Sequence, residues 1–129
     1  MPVNPSRELP LVTRVDVIRN MMSLMDRCAL GIALVVDEQR RLIATITDGD
    51  VRRAILLGLE LSQRVGEILE PPYDRRRNVS PVTAMVGTPS EDLFGLMAER
   101  HVRQVPLVDE ENRIIDIALD SGYIADSTL

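Results

Sequence analysis

The chain contains an internal repeat. The stretch from Met21 to Ala54 matches the stretch from Leu93 to Asp126 at a fixed offset of 72 residues, without a gap. Such self-similarity indicates a duplicated unit, and a unit this short cannot bury a core alone. We therefore expect the two copies to pack face to face, with two related clefts between them that hold the functional site. The identical pairs are Leu24/Leu96, Met25/Met97, Val36/Val108, Asp37/Asp109, Glu38/Glu110, Arg41/Arg113, Ile43/Ile115 and Asp48/Asp120.

Composition excludes several classes of protein. With 129 residues, 45% of them hydrophobic, the chain has room for one compact domain or two half-domains. A net charge of −5 argues against a general binder of nucleic acid or of anionic membranes, which needs a cationic surface. One cysteine, Cys28, and one histidine, His101, fall short of a disulfide or a zinc site. A chain with a single cysteine fits a reducing, cytoplasmic setting, which we expect here. No signal peptide or membrane-spanning run is visible in the sequence.

Each copy shows a helical pattern followed by two apolar runs around a charged turn. The first copy then continues into a short helix that a glycine ends, and into a second short helix. The second copy opens with Thr88-Pro89-Ser90-Glu91, which predicts an N-cap at Thr88 and a helix that buries Leu93, Phe94 and Met97. The expected first helix face is Ile18, Met21, Met22 and Met25; the expected strands are Leu11 to Thr13, Ile32 to Val36, Leu42 to Ile46, Val82 to Met85, Val105 to Val108 and Ile114 to Leu119; the short helices are Val51 to Gly58 and Gln63 to Leu69.

Turn-forming and basic residues mark the boundary between the copies. Pro71-Pro72 ends the first copy, and the run Arg75 to Arg77 follows it. This run is either a solvated linker or a clamp that reaches a phosphate over the cleft. The expected organisation is a flexible leader at 1–8, a first motif at 9–70, a linker at 71–78, a second motif at 79–126 and a tail at 127–129.

The repeated segments carry a family resemblance. IALVVDEQRRLIATITDGDVRRAILLG in the first copy is answered by VRQVPLVDEENRIIDIALDSGYI in the second. This pattern resembles the cystathionine-β-synthase (CBS) domain pair, or Bateman module, over residues 9–126. The resemblance implies an α+β fold of two βαββα-like halves with pseudo-two-fold symmetry. It also implies a regulatory module, not an enzyme, that binds an adenosine nucleotide in its clefts and acts on a catalytic domain in cis or in trans.

The segment TDGDVRR, with the following GLELSQRVGEIL, narrows the resemblance. It is most similar to CBS pairs attached to sugar-phosphate nucleotidyltransferases, and less so to those on sugar-phosphate isomerases. A regulated sugar-phosphate enzyme is therefore implied. An enzymatic role for the chain itself would need a nucleotidyl-transfer loop or a cluster of catalytic carboxylates, and neither is visible.

Thr47, Asp50 and Arg53, which follow the last strand of the first copy, are candidates for the ligand site. Family sites place Thr or Ser three residues before Asp, and Thr47 and Asp50 match that spacing. A hydroxyl at a helix N-terminus suits a phosphate, a carboxylate can accept from the cis hydroxyls of ribose, and Arg53 could pair with the phosphate. The alternative is structural, because Thr47 and Asp50 at this spacing can also form a capping box.

The resemblance assigns the adenine to apolar strand residues: Ile32 and Ala33 of the middle strand, with Leu11 and Val12 of the leading strand. Each of the four is alternatively ordinary core. In the second copy Leu119 replaces the Thr and Gly122 replaces the Asp. We therefore expect one competent site, which takes AMP, ADP or ATP and no other cofactor.

Exposed apolar residues predict association. Ile55, Leu56 and Phe94 lie on helices that one small module cannot cover, so we expect a homodimer. Dimerisation also suggests a rival to the nucleotide-binding function: a purely structural dimerisation module whose clefts are vestigial.

Overall fold

A computed structural model of the chain describes residues 8–74 and 80–120. Within these residues it has six strands, three α-helices and one short 3-10 helix, divided between two compact units. The elements in chain order are β1 (Leu11–Val12), α1 (Ile18–Cys28), β2 (Ile32–Val36), β3 (Leu42–Thr47), α2 (Asp48–Leu56), the 3-10 helix (Val65–Leu69), β4 (Ala84–Met85), α3 (Ser90–Arg100), β5 (Gln104–Val108) and β6 (Ile114–Leu119).

The first unit, Glu8–Pro81, is a three-stranded sheet with helices on one face. β2 lies in the middle, parallel to β1 and antiparallel to β3. Alternate residues of a strand point to opposite faces, so every second side chain of the sheet reaches the helices. The resulting core is apolar and buries Val12, Ala33, Val35 and Ile46 with Ile18, Met21, Met25, Val51 and Ala54.

The second unit, which begins at Val82, repeats this sheet. β5 lies in the middle, parallel to β4 and antiparallel to β6. The register shift between Val35 and Val36 recurs between Leu107 and Val108, at the equivalent position. Its core contains Leu93, Met97, Val105, Leu107 and Ala118.

The turns between the paired strands are also duplicated. Asp37 Oδ1 accepts hydrogen bonds from the backbone N–H groups of Gln39 and Arg41, both at 2.9 Å. Asp109 Oδ1 accepts from Glu111 and Arg113 at the same distances. Matching sheets, bulges and turns confirm the duplication and the α+β fold that the sequence predicts.

Most predicted elements are confirmed, with differences at the ends of helices and strands. β4 covers only Ala84–Met85 of the predicted strand Val82 to Met85, and β1 ends one residue early, at Val12. α2 begins at Asp48, three residues before the predicted start, and the second short helix is a 3-10 helix that starts at Val65. The prediction of a Thr88 N-cap is wrong: the N-cap is Pro89, and the Thr88 hydroxyl instead donates to the Met85 carbonyl at 2.6 Å.

Some predictions are revised in burial, and others fall on residues that are not described. Phe94 is half-buried against the second core, so it belongs neither to the fully buried nor to the exposed side chains. The leader up to residue 7, the run Arg75 to Arg77, Gly122 and the tail at 127–129 lie outside the described residues.

Candidate functional site

The junction between β3 and α2 brings Thr47 and Asp50 together. Thr47 ends the strand with extended backbone, and its Oγ1 accepts from the Asp50 N–H at 3.2 Å. In return Asp50 Oδ2 accepts from the Thr47 N–H at 2.9 Å. This reciprocal capping box satisfies two backbone donors that a helix start leaves unpaired, and it explains why α2 begins at Asp48. The structural role predicted for this spacing is therefore present.

The second oxygen of Asp50 is paired with Arg53. Asp50 Oδ1 lies 2.7 Å from Arg53 Nη2, one helical turn away. The Asp50 side chain is 18% exposed and that of Arg53 is 46% exposed. All three predicted polar residues thus form one hydrogen-bonded group at the N-terminus of α2.

Two further residues, Gly49 and Arg52, lie beside this group, and the sequence reasoning missed them. A β-carbon built on Gly49 would lie 3.7 Å from Arg53 Nη1, 3.8 Å from Thr47 Oγ1 and 3.9 Å from Arg52 Nη2. These are ordinary contact distances, so Gly49 lies directly beside a hydroxyl and two guanidinium groups. The signal was available, because Arg52 and Arg53 stand three and four residues after Gly49, the spacing of one helix face.

Helix polarity and side-chain charge act together at this point. The first turn of α2 carries two aspartates, Asp48 and Asp50, and the two arginines balance them, so the formal charge of the segment is zero. The N-terminal N–H groups add the positive end of the helix dipole. A phosphate would gain from these N–H groups and from any guanidinium that turns toward it.

The predicted apolar residues divide between the two faces of the sheet. Ile32 lies directly opposite Thr47 in the β2–β3 register, and Leu11 pairs with Leu34, two residues further along β2. Leu11 and Ile32 therefore share a face with Thr47. Ala33 and Val12 point the other way and are buried in the helix-facing core, where their side chains fill space between sheet and helices.

In the second unit the equivalent junction has different chemistry. Gln104 pairs with Leu119 as Ile32 pairs with Thr47, and Asp120 N–H donates to the Arg103 carbonyl as Asp48 N–H donates to Gly31. The half-buried Leu119 thus occupies the position of Thr47 without a hydroxyl. Asp120 is held by Arg103 Nε at 2.9 Å.

Two other reactive side chains are described, those of His101 and Cys28. His101 is exposed and ends α3 in the left-handed conformation. Burial raises the pKa of the half-buried Cys28 thiol, and the Glu8 carboxylate raises it further. Among residues 8–74 and 80–120, no cluster of three or more His, Cys, Asp or Glu side chains could hold a metal ion. No helix in this described part is long and apolar enough to cross a membrane.

Comparison with known families agrees with this architecture. The family model described as CBS domain matches residues 3–57 and 74–120, which is more than half of the chain. The chain belongs to the CBS domain family. Two matched segments in one chain, each with the same sheet, make it a CBS domain pair.

Similar curated proteins include sugar-phosphate isomerases. Arabinose 5-phosphate isomerase GutQ of Salmonella typhi is 27% identical over 106 residues, which cover 82% of this chain and 30% of the isomerase. The chain thus spans less than a third of the length of this curated relative.

Two solved structures share the fold. The CBS domain protein PAE2072 from Pyrobaculum aerophilum, complexed with AMP, superposes with a TM-score of 0.72 at 16% identity, over 96% of this chain and 95% of that one. The cytosolic domain of the Mg²⁺ channel MgtE, in complex with ATP, gives a TM-score of 0.67 at 25% identity over 94% of this chain and 45% of that one.

Proposed function

We propose that this CBS pair is a regulatory module that binds one adenine nucleotide at the N-terminus of α2. Thr47 and the first N–H groups of α2 receive the phosphate, Asp50 accepts from the ribose hydroxyls, and Arg53 contacts the phosphate. Leu11 and Ile32 border the adenine on the Thr47 face of the sheet. Val12 and Ala33 contribute only backbone groups, because their side chains are in the core.

The observation that carries this proposal is the hydrogen-bonded group Thr47, Asp50 and Arg53 beside Gly49. It combines an anion-binding helix end, a hydroxyl and a carboxylate, which are the groups that a ribose phosphate needs. A capping box alone does not need Arg53, whose guanidinium pairs with Asp50 and lies beside Gly49. AMP and ATP complexes of proteins with this fold support the choice of adenine nucleotides.

One nucleotide per chain is expected, because Leu119 removes the hydroxyl from the equivalent position in the second unit. Gly122, which replaces the carboxylate in sequence, strengthens this expectation. AMP, ADP and ATP all remain candidates for the ligand.

Regulation would arise from a coupling free energy. If the nucleotide binds one conformation of the CBS pair more tightly, occupancy shifts an associated enzyme by about 1–3 kcal/mol. We propose a sugar-phosphate enzyme as the regulated partner, in cis or in trans. Similarity to GutQ supports a sugar-phosphate isomerase, and the TDGDVRR segment supports a nucleotidyltransferase.

A purely structural dimerisation module is the second candidate, and one surface favours association. A groove of about 570 Å³ lies between α1 and α2 of the first unit. It is lined by apolar side chains, among them Met22, Met25, Ile55 and Leu56, and by the charged residues Asp26, Asp48 and Arg52. Leu56 is 79% exposed. We propose that a second copy of the chain covers this groove, which makes the protein a homodimer whether or not it binds nucleotide.

Thermal unfolding with added nucleotide separates the two candidates. A ligand that binds only the native state stabilises it by about 2.7 kcal/mol at one hundred times its dissociation constant. We expect AMP, ADP or ATP to raise the melting temperature in a saturable way, whereas GMP, a matched purine nucleotide, should act more weakly. If none of the adenine nucleotides shifts the melting temperature at millimolar concentration, the structural module is the correct interpretation.

A further inference from the structure

The Arg53 guanidinium connects the two parts of the proposed nucleotide site. Its Nη2 donates to Asp50 Oδ1 at 2.7 Å. Its Nη1 would lie 3.7 Å from a β-carbon built on Gly49. An arginine side chain carries five N–H donors in a planar fork, so this one group can reach the ribose acceptor and the phosphate region.

The ion pair restricts access to Asp50. Oδ2 is fixed by the Thr47 N–H, and Oδ1 is covered by Arg53, which leaves the side chain 18% exposed. A ribose diol donates hydrogen bonds and therefore competes with Nη2 for Oδ1. Oδ1 has two lone pairs, so the contact of both ribose hydroxyls with this oxygen displaces Arg53 from the carboxylate, which has a free-energy cost.

A phosphate changes this balance. It offers anionic oxygens near Gly49, to which the displaced guanidinium can donate charge-assisted hydrogen bonds. The free energy lost at Asp50 is then recovered at the phosphate. A bare nucleoside offers no such acceptor, so the displaced guanidinium is left to solvent.

We infer that Arg53 makes the site specific for nucleotides over nucleosides. Its guanidinium masks Asp50 until a phosphate draws it away. This inference rests on the proposed nucleotide site and adds to it. If Arg53 were only a phosphate contact, it would strengthen AMP binding and leave adenosine binding unchanged. A masking residue must also disfavour adenosine, and this second effect distinguishes the two roles.

Arg53→Met tests the inference, because methionine keeps much of the apolar stem and removes every donor. Dissociation constants of AMP are measured by calorimetry, and those of adenosine by competition against AMP. We expect Arg53→Met to weaken AMP binding about tenfold, the loss of a charge-assisted contact. Adenosine binding should become about two- to fivefold tighter, the factor that corresponds to an exposed ion pair.

Arg52→Met is the matched control. Arg52 Nη2 also lies near Gly49, at 3.9 Å from the built β-carbon, but Asp50 pairs with Arg53. This variant should weaken AMP binding and leave adenosine binding unchanged. Melting curves of both variants check that they are folded.

Three outcomes overturn the inference. If adenosine binds Arg53→Met no tighter than the parent while AMP binds the parent, Arg53 is at most a phosphate contact and the proposed function stands. The same conclusion follows if adenosine fails to compete in either protein. If the parent binds neither AMP nor adenosine, the proposed function fails and the inference with it.

Discussion

Asp50 shows how one side chain can serve folding and binding with the same atoms. Its carboxylate closes the capping box with Thr47 and pairs with Arg53. The spacing Thr-x-x-Asp is compatible with both roles, so the sequence predicts the group without ranking them. What the sequence did not reveal is that Arg53 contacts the carboxylate directly.

Two other aspartates predict how stability depends on pH. For Asp37, desolvation raises the pKa, but hydrogen bonds from Arg41 and Gln39 together outweigh it and leave the pKa below its ordinary value. For Asp109, the backbone N–H of Arg113 is the largest cause, and it lowers the pKa against desolvation. A lowered folded-state pKa stabilises the fold above the unfolded pKa, about 3.9, and this contribution is lost as pH falls through the folded pKa.

We therefore expect the melting temperature to fall in acid, with Asp109→Asn showing a smaller fall than the parent below about pH 4. Glu110→Gln is the control, since it removes a charge from the same turn and no hydrogen bond of the Glu110 side chain occurs among the described residues. Melting curves over a pH series provide the measurement. An acid limb that Asp109→Asn leaves unchanged would show that the turn does not contribute.

At the scale of elements, the longer strands were predicted well, whereas the helix starts and the short strand β4 were not. β2 and β6 match their predicted bounds because apolar runs are bounded by turn residues on both sides. The predicted N-cap of α3 was wrong because a threonine hydroxyl can donate as well as accept, and the Thr88 hydroxyl donates to the Met85 carbonyl. Such a choice depends on local geometry that residue types alone do not specify.

The burial of the candidate adenine residues also depends on geometry that residue types alone do not specify. Ala33 and Ile32 are neighbours in sequence but lie on opposite faces of β2. Strand alternation indicates that they differ, but an unbroken apolar run does not reveal which residue faces the helices. Only the register with β3, which places Ile32 opposite Thr47, assigns the face.

Two glycines provide a matched prediction for the helices. Gly58 follows α2 with φ of +106°, and a β-carbon there would meet nothing within 4 Å. Gly58→Ala should therefore cost about 1–2 kcal/mol of stability through the backbone alone. Gly95 lies within α3, also with open space around it, and Gly95→Ala should instead stabilise by about 0.5–1 kcal/mol.

Urea unfolding of the two variants measures both free energies. Opposite signs are expected, because the substitutions are chemically identical and only the backbone conformation differs. Destabilisation by Gly95→Ala, or a neutral Gly58→Ala, would contradict the assignment of these conformations.

At the scale of the whole molecule, the groove between α1 and α2 predicts a homodimer. Leu56 lines the groove, whereas the adjacent Leu57, 47% exposed, does not. Leu56→Asp should dissociate the dimer, because it replaces an apolar contact with a further negative charge in a groove that already holds Asp26 and Asp48. Leu57→Asp is the control, since it places the same charge at the same end of α2.

Light scattering at tens of micromolar protein tests this prediction. The parent and Leu57→Asp should have twice the mass of one chain, and Leu56→Asp should have the mass of one chain. A monomeric parent, or dimers of both variants, would show that the groove is not the interface.

The central claim, that an adenine nucleotide binds at Asp50, is tested most directly by calorimetric titration of the parent, Asp50→Asn and Asp48→Asn. Both substitutions remove one charge from the first turn of α2, at a cost of about 0.3–1 kcal/mol of stability. Only Asp50→Asn should weaken nucleotide binding, by at least about tenfold, since only it loses charge-assisted bonds to ribose. The account predicts one nucleotide per chain for the parent and for Asp48→Asn. Equal affinity of the parent and Asp50→Asn would contradict it and would leave Asp50 with the role of a helix cap.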